Sequence, residues 1–314
     1  MIGELLSGSS PPSEFFAISG LIILPALYGA GAIIVRELTI SWNKGWGTIW
    51  LLGAAYGVIE EGVMVKSWFD PNWVDLGILG SYGRWLGVNW IWAFMLTLYH
   101  ASVSISIPIL LLDLIQPELR GIRITGKWSL RVIGIIFLAD VILGFVLFPY
   151  HAPPVLIGFA LIIVVLLFML ARTWPAGPSK GWILRRASTY FFFGFVSMVT
   201  FYVIYGALPH ILPWPLLVLA IAIVYVLIVR WFLKSSLIGS ANASRDFWLV
   251  AGVLGFFIFL SPFQEIDKNR IDNPAGMTVV GLAFLVFLAL VYLKVRRIAE
   301  NWPIALLPPP PPPP

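Results

Sequence analysis

The sequence predicts an all-α integral membrane protein, a bundle of about nine transmembrane helices. The chain has 314 residues, of which 60% are hydrophobic and only 11% are charged, and its mean hydropathy is +0.93. A soluble domain of this length does not need so much apolar surface for one core, so most of the surface must face lipid. The absence of Cys excludes disulfides, thiolate metal sites and cysteine nucleophiles.

Nine apolar segments are long enough to cross a bilayer. A hydrocarbon core about 30 Å thick requires roughly 20 apolar residues in a helix, because backbone polar groups find no water there. The segments lie near residues 15–37, 47–67, 90–114, 129–148, 154–172, 189–208, 213–233, 246–263 and 276–295. We therefore expect one polytopic domain over residues 1–300, placed in the cell membrane, and a Pro-rich tail over 301–314 that ends in Pro308–Pro314.

The basic residues alternate from one connection to the next. Sixteen of the 20 Lys and Arg residues fall in the odd-numbered connections or the carboxyl tail. Only Lys66, Arg84, Lys268 and Arg270 fall in the even-numbered connections. The positive-inside rule then places the amino terminus outside and the carboxyl terminus inside the cytoplasm. We interpret the excess of Lys and Arg over Asp and Glu as a signal of membrane topology and as a contact to anionic lipid. No nucleic-acid partner is expected.

The connection from Trp68 to Asn89 is longer than the others and rich in aromatic residues. Trp68, Trp73, Tyr82 and Trp85 stand among Gly and Asp residues, a composition suited to the boundary between lipid and water. Two interpretations remain open, an interfacial aromatic belt and a lid or re-entrant segment over a cavity.

Four ionisable residues lie deep in predicted helices: Glu60, Glu61, His100 and Asp140. A charge at the bilayer centre costs at least about 2.5 to 3.5 kcal/mol on insertion scales, so such residues are candidates for function. Glu60 and Glu61 lie past the middle of the second helix, which runs outward, and His100 lies near the middle of the third, which runs inward. All four are therefore expected at a comparable depth, and Asp140 is the weaker member because its own helix offers few polar partners.

The two adjacent glutamates point in different directions on a helix. Glu61 shares a face with Gly53 and Gly57, along which another helix can approach closely. Glu60 shares its face with Tyr56, whose hydroxyl can reach it at the i, i+4 spacing. Two carboxyls in a low dielectric do not both ionise cheaply, so one is expected to hold a proton while the other accepts one. This arrangement suits a general base or a proton carrier.

His100 heads a polar strip on the third helix. Ser104 lies one turn beyond it, with Ser102 and Ser106 close by, and Pro108 removes a backbone donor. An imidazole beside Glu61 can orient a water, hold a proton or share a metal ion. The alternative is a buried hydrogen bond between Glu and His that only fixes the packing of the second and third helices.

Glu60-Glu61, followed by His100 on the next helix, resembles the intramembrane glutamate proteases of the CAAX-protease and bacteriocin-processing superfamily. The resemblance implies that Glu60 activates water, that Glu61 assists it, and that His100 positions the water or the oxyanion. Residues 50 to 105 carry the likeness. The chain departs from the family pattern at Val65, where the family has Arg, and at Leu96, where it has an aromatic residue, and a His-x-x-x-Asn motif is missing. The stretch from Tyr56 to Pro108 also looks like uncharacterised multi-pass membrane proteins of prokaryotes.

Three functions remain open from the sequence. The first is a membrane-embedded, protease-like hydrolase with Glu60, Glu61 and His100 in a cavity open to the outer half of the bilayer. The second is a proton-coupled transporter or channel built on the same carboxyl cluster. The third is a structural or assembly subunit without catalysis. No organic cofactor is predicted, the need for a metal is left open, and the partners expected are membrane lipids together with a membrane-protein partner or substrate.

Overall fold

The computed structural model describes residues 2–175, 185–236, 238 and 242–301, and it is helical almost throughout. Within these residues, eight helices are long and apolar enough to cross a membrane. They are Ile18–Ser41, Trp90–Ile115, Lys127–Leu147, Pro154–Thr173, Ala187–Ile211, Pro215–Ser236, Ala243–Ile266 and Met277–Ile298. The predicted all-α membrane bundle is confirmed, and each of these helices begins and ends within about four residues of its prediction. The Pro-rich tail lies outside the described residues.

The second predicted helix is present but is not among the eight. It consists of an α-helix, Trp46–Val58, that continues as the π-helical segment Ile59–Met64. The two adjacent glutamates and several Gly and Trp residues make it less hydropathic than the others. This helix is instead a central element of the bundle, because most of its Trp46–Val58 residues are buried.

The α-helices are numbered α1 to α14 in chain order. They are α1 Ile2–Ser7, α2 Pro12–Phe15, α3 Ile18–Leu24, α4 Ala30–Ser41, α5 Trp46–Val58, α6 Trp90–Tyr99, α7 Ile107–Ile115, α8 Lys127–Leu147, α9 Pro154–Thr173, α10 Ala187–Tyr202, α11 Leu208–Ile211, α12 Pro215–Ser236, α13 Ala243–Ile266 and α14 Met277–Asn301. The π-helical segments that interrupt the long helices are Pro25–Gly29, Ile59–Met64, His100–Ser106 and Val203–Ala207. Short 3-10 turns lie at Gly77–Gly80 and Pro117–Leu119, and the strands β1 Arg84–Trp85 and β2 Val88–Asn89 pair antiparallel.

The third predicted helix, Trp90–Ile115, lies at the centre of the bundle. The fourth and fifth predicted helices, Lys127–Leu147 and Pro154–Thr173, lie at its edge. In the most apolar window of Trp90–Ile115, 61% of the residues are buried, against 17% in Lys127–Leu147 and 11% in Pro154–Thr173. The peripheral helices expose a broad apolar surface. Because exposure of such a surface to water is unfavourable, it faces lipid. The polar residues of the third helix are thus held in protein rather than in lipid.

The connections divide between the two ends of the bundle as the predicted threading requires. Odd-numbered connections touch one another through Arg36–Ile122, Lys44–Trp174, Arg120–Asp246 and Arg185–Ser236. Even-numbered connections and the amino terminus touch one another through Lys66–Phe148, Tyr82–Leu212 and Arg270–Gly8. Which end faces the cytoplasm follows only from the charge distribution and stays a prediction.

The connection from Trp68 to Asn89 forms a folded cap on the even-numbered end. Trp68 and Phe69 are buried, whereas Trp85 is 66% exposed. Arg84 fastens the cap by donating to backbone carbonyls, those of Phe69, Asp70, Gly80 and Gly87. The segment thus has a buried part and an exposed tip, and the choice between an interfacial belt and a lid stays a prediction.

Candidate polar site within the membrane

Glu60, Glu61 and His100 converge, as the sequence predicts, and all three are buried. His100 Nε2 lies 3.0 Å from Glu61 Oε1, and His100 Nδ1 lies 3.2 Å from Glu60 Oε2. The approach of the two helices depends on Gly57, where an added Cβ would stand 3.0 Å from the Cβ of His100. One imidazole thus stands between two carboxylates.

Each of these side chains comes from a π-helical segment. Glu60 and Glu61 lie in Ile59–Met64, and His100 opens His100–Ser106. Tyr28, whose hydroxyl donates to Glu60 Oε1, lies in a third such segment, Pro25–Gly29. A π-helical turn is rare and recurs at functional sites, because the wider turn redirects side chains and loosens backbone hydrogen bonding. The meeting of three of them distinguishes this point of the bundle from ordinary helix packing.

Hydroxyl and indole groups complete the network around the cluster. Ser104 Oγ lies 3.1 Å from His100 Nδ1, which agrees with the polar strip predicted for the third helix. Ser67 donates to Glu61 Oε2, and its own oxygen accepts a hydrogen bond of 3.0 Å from Trp92 Nε1. Ser67 and Trp92 therefore couple Glu61 to the start of the cap.

Two polar atoms of the site have no hydrogen-bond partner among the described residues. They are Glu60 Oε2 and the hydroxyl of Tyr56. Nδ1 of His100 is near Glu60 Oε2, but its well-aligned partner is Ser104. Tyr56 lies beside the imidazole, with ring centroids 6.0 Å apart, and it is close enough to interact with Glu60. A buried acceptor without a donor is unfavourable by about 1 to 3 kcal/mol, so a ligand, water or proton is expected at this oxygen.

The same three residues have the spacing of a metal-ligand set. One ligand atom each from Glu60, Glu61 and His100 lies within 4.8 Å of the others. Oxygen and imidazole donors of this kind suit a divalent transition metal. Because both imidazole nitrogens already face oxygen atoms at 3.0 and 3.1 Å, a metal ion would have to displace one of these contacts.

A short helix at the amino terminus closes the site from the even-numbered end. Gly3 of α1 is so close that an added Cβ would stand 3.3 Å from Ser104 Oγ. Tyr99, next to His100, donates a hydrogen bond of 2.9 Å to Gly3 O. Glu4 and Leu6 are buried beside it, and Glu4 is close enough to act electrostatically on Glu60 and His100. The outer-half opening expected from the sequence is thus occupied by α1.

Asp140 and Lys66 do not join the cluster. Asp140 is buried, but its Oδ2 has no partner among the described residues and it is not part of the Glu60, Glu61 and His100 set. The Nζ of Lys66 donates hydrogen bonds of 2.7 and 2.9 Å to Phe145 O and Phe148 O rather than pairing with either glutamate. It closes the end of α8, where helix carbonyls lack intrahelical donors.

Sequence reasoning did not identify Tyr28, Ser67 or Glu4. Tyrosine and serine are common in membrane helices, so their presence gives no signal of a site. Glu4 precedes the first apolar segment, which is typical of a solvated terminus, and a six-residue helix is too short to be recognised as a membrane element. The sequence signal for Glu4 is an acidic residue within the short, mostly apolar segment Ile2–Ser7.

Comparisons with known proteins identify a family but no activity. No curated protein and no solved structure matches the chain. The family model that matches is not that of the glutamate proteases, so that resemblance gains no support from it. The match covers residues 1–307, nearly the whole chain, and by it this protein belongs to an uncharacterised membrane protein family.

Proposed function

We propose that this protein is a membrane-embedded hydrolase of the cell membrane, with Glu60, Glu61 and His100 as its chemical centre. The observation that carries the proposal is the meeting of three π-helical segments at two carboxylates and one imidazole. Purely structural pairs in a membrane have no need for a second, adjacent carboxylate, because each buried acid adds a cost of several kcal/mol.

The proposed mechanism gives a role to each side chain. Glu60 Oε2, free of hydrogen bonds among the described residues, accepts a proton from water as that water attacks the substrate. Glu61 holds His100 through the contact of 3.0 Å, and His100 gives a proton to the leaving group. The proton on Glu60 then returns to the imidazole, so the centre ends the cycle as it began. Tyr28 fixes the other oxygen of Glu60.

In the proposed mechanism, proton transfer to Glu60 activates the water, and no metal ion is needed. Each imidazole nitrogen already has an oxygen partner, and a metal would need to break one of these contacts. Hydrolysis should therefore persist after dialysis against a chelator. Loss of activity on chelation, restored by a divalent metal, would replace this version by metal-assisted hydrolysis at the same residues.

The test measures incorporation of oxygen from water labelled with ¹⁸O. Purified protein in proteoliposomes is given a panel of probes, namely lipid esters, lipid phosphates and a transmembrane peptide, and the products are analysed by mass spectrometry. We expect labelled product with the natural protein and a loss of about 10²-fold or more with Glu60→Gln. Glu118→Gln changes an exposed glutamate in the same way and is the matched control. Equal labelling by both variants would reject Glu60 as the base.

Proton-coupled transport is the second candidate, and one observation favours it. A cavity of about 720 Å³ is lined in part by Tyr99 and Ser102, on either side of His100 in the chain, while α1 packs against the third helix through the hydrogen bond from Tyr99 to Gly3. A site that opens toward only one side is what alternating access requires. Uptake driven by a pH gradient in proteoliposomes, without labelled product in the ¹⁸O assay, would favour transport over hydrolysis.

A further inference from the structure

A cavity of about 720 Å³ lies between the central and the carboxyl-terminal helices. Its walls come from α5 and the third membrane helix on one side and from α10, α12 and α13 on the other. Most of its lining is apolar, including Leu51, Val103, Leu110, Met198, Phe201 and Val253. A volume of this size accommodates a ligand as large as a lipid tail or a drug molecule.

The mouth of the cavity is positively charged. Arg230 and Lys234 line it, and the guanidinium of Arg230 lies 5.4 Å from the ring of Trp174. Lys44 adds a third cation there by donating a hydrogen bond of 2.8 Å to Trp174 O. Among the described residues, no Asp or Glu lines the cavity. An anionic group at this mouth would therefore meet cations alone.

One layer of side chains separates the cavity from the lipid-facing surface of the bundle. A second crevice of about 820 Å³ lies between α10 and α12 on the outer surface of the bundle. Phe193, Ser197, Tyr225 and Val229 line both spaces, so these four residues form the wall between them. An amphiphile in the bilayer can thus approach the cavity sideways between two helices, keeping its tail out of water.

We infer that this cavity binds a membrane amphiphile that carries a phosphate headgroup. The tail occupies the apolar chamber, and the phosphate binds Arg230 and Lys234 at the mouth. Phosphate is favoured over carboxylate because a guanidinium and an ammonium one helical turn apart can satisfy several phosphate oxygens at once. The inference goes beyond the proposed function: the cavity reaches Tyr99, the residue before His100, but neither Glu60 nor Glu61 lines it.

The test is a binding measurement that does not require turnover. Full-length protein in nanodiscs of phosphatidylcholine is titrated with phosphatidic acid brominated on its acyl chain, and quenching of tryptophan fluorescence is recorded. Trp46, Trp50 and Trp174 line the cavity and should report a tail inside it. Brominated phosphatidylcholine and a brominated fatty acid are the comparison probes, since they offer a zwitterionic headgroup and a carboxylate.

We expect saturable quenching by phosphatidic acid and about 30-fold weaker binding by the double variant Arg230→Gln/Lys234→Gln, at roughly tenfold or less per cation. The double variant Lys294→Gln/Arg297→Gln removes two cations from the same end of the bundle, on α14, and should bind normally. Ser197→Trp fills the wall between the two spaces and should also weaken binding. Equal binding by the two double variants, or equal quenching by any comparison probe, would overturn the inference.

The two proposals fail separately. Glu60→Gln should keep its affinity for phosphatidic acid while it loses hydrolysis, because Glu60 does not line the cavity. Hydrolysis of the ¹⁸O probes without saturable quenching would reject the lipid site in the cavity and leave the centre intact. Saturable quenching with no hydrolysis of any probe would reject the hydrolase and leave a lipid-binding site.

Discussion

Two buried glutamates, Glu37 and Glu60, show how differently the same side chain is used at the two ends of this bundle. Glu37 is fully buried near the odd-numbered connections and accepts hydrogen bonds from five donors. They are Arg36 Nη1, Arg123 Nε, Ile124 N, Thr125 N and Thr125 Oγ1. Glu60 is similarly buried but has one oxygen without a hydrogen-bond partner among the described residues.

Glu37 is a carboxylate whose acceptor oxygens are saturated with hydrogen bonds, whereas Glu60 has an oxygen available to accept a proton. At Glu37, two guanidinium groups balance one carboxylate, and the bonds to Ile124 and Thr125 fasten the third connection to the first membrane helix. At Glu60, two carboxylates share a single imidazole. A saturated ion cluster stabilises the fold, whereas an acid with an unused acceptor can take a proton during a reaction.

The predicted threading puts Glu37 near the cytoplasmic end of the bundle and Glu60 within the membrane toward the external end, and cysteine labelling tests this orientation. The chain has no Cys, so a single introduced thiol is unambiguous. An impermeant maleimide added to intact cells should label Asn72→Cys fully and Glu118→Cys only after permeabilisation. Both positions are exposed in the structure. The reverse pattern would invert the orientation.

Replacing the imidazole should have the largest effect on activity. His100→Gln removes the cation between the two carboxylates, so hydrolysis should fall by about 10²- to 10⁴-fold in the ¹⁸O assay. His210 is exposed in a short connection, and His210→Gln should leave the rate unchanged. A rate for His100→Gln within a few-fold of the natural protein would show that the cluster only packs helices.

Glu37 should affect stability rather than chemistry. Glu37→Gln leaves Arg36 and Arg123 without their carboxylate, and breaking a buried pair in this way typically costs about 3 to 5 kcal/mol. The melting temperature in detergent should fall clearly, while the turnover of the molecules that remain folded stays near normal. A variant with an unchanged melting temperature would remove Glu37 from its structural role.

Tyr28 tests whether the orientation of Glu60 matters. Tyr28→Phe removes the hydroxyl that donates to Glu60 Oε1 and keeps the ring. A hydrogen bond to a charged group is worth about 1.5 to 3 kcal/mol, so turnover should fall by roughly tenfold or more. Tyr292→Phe, on the partly exposed surface of α14, is the control. A parallel loss in both variants would show a general effect of removing a hydroxyl.

The smallest effect is expected at Asp272, in the last even-numbered connection. Hydrogen bonding from Arg270 lowers the pKa of Asp272, and the same guanidinium donates to Gly8 O after α1. The pKa of Asp272 is lower in the folded state than in the unfolded state. The stabilisation that ionised Asp272 contributes is therefore fully present above its unfolded-state pKa, and it disappears as the pH falls through its folded-state pKa. Asp272→Asn should therefore lose less than about 1 kcal/mol at pH 7, and nothing in strong acid. A difference that grows as the pH falls would contradict this sign.

The helices were predictable because their signal is length and hydropathy, and the lipid imposes both. The convergence of Glu60, Glu61 and His100 was predictable from depth alone, since the two helices run in opposite directions past the same level. The π-helical segments were not, because the extra residue of a π turn leaves no periodic pattern in a uniformly apolar helix. Tyr28 and Glu4 were missed for a related reason: long-range packing brings them to the site, and no local pattern encodes it.

The most direct test of the central claim is turnover per folded molecule, measured for Glu60→Gln and Glu37→Gln in the same proteoliposomes. The account predicts that Glu60→Gln loses at least about 10²-fold in turnover at a nearly normal melting temperature, and that Glu37→Gln shows the opposite pattern. Proportional losses of turnover and melting temperature in both variants would contradict it, since both glutamates would then serve only the fold.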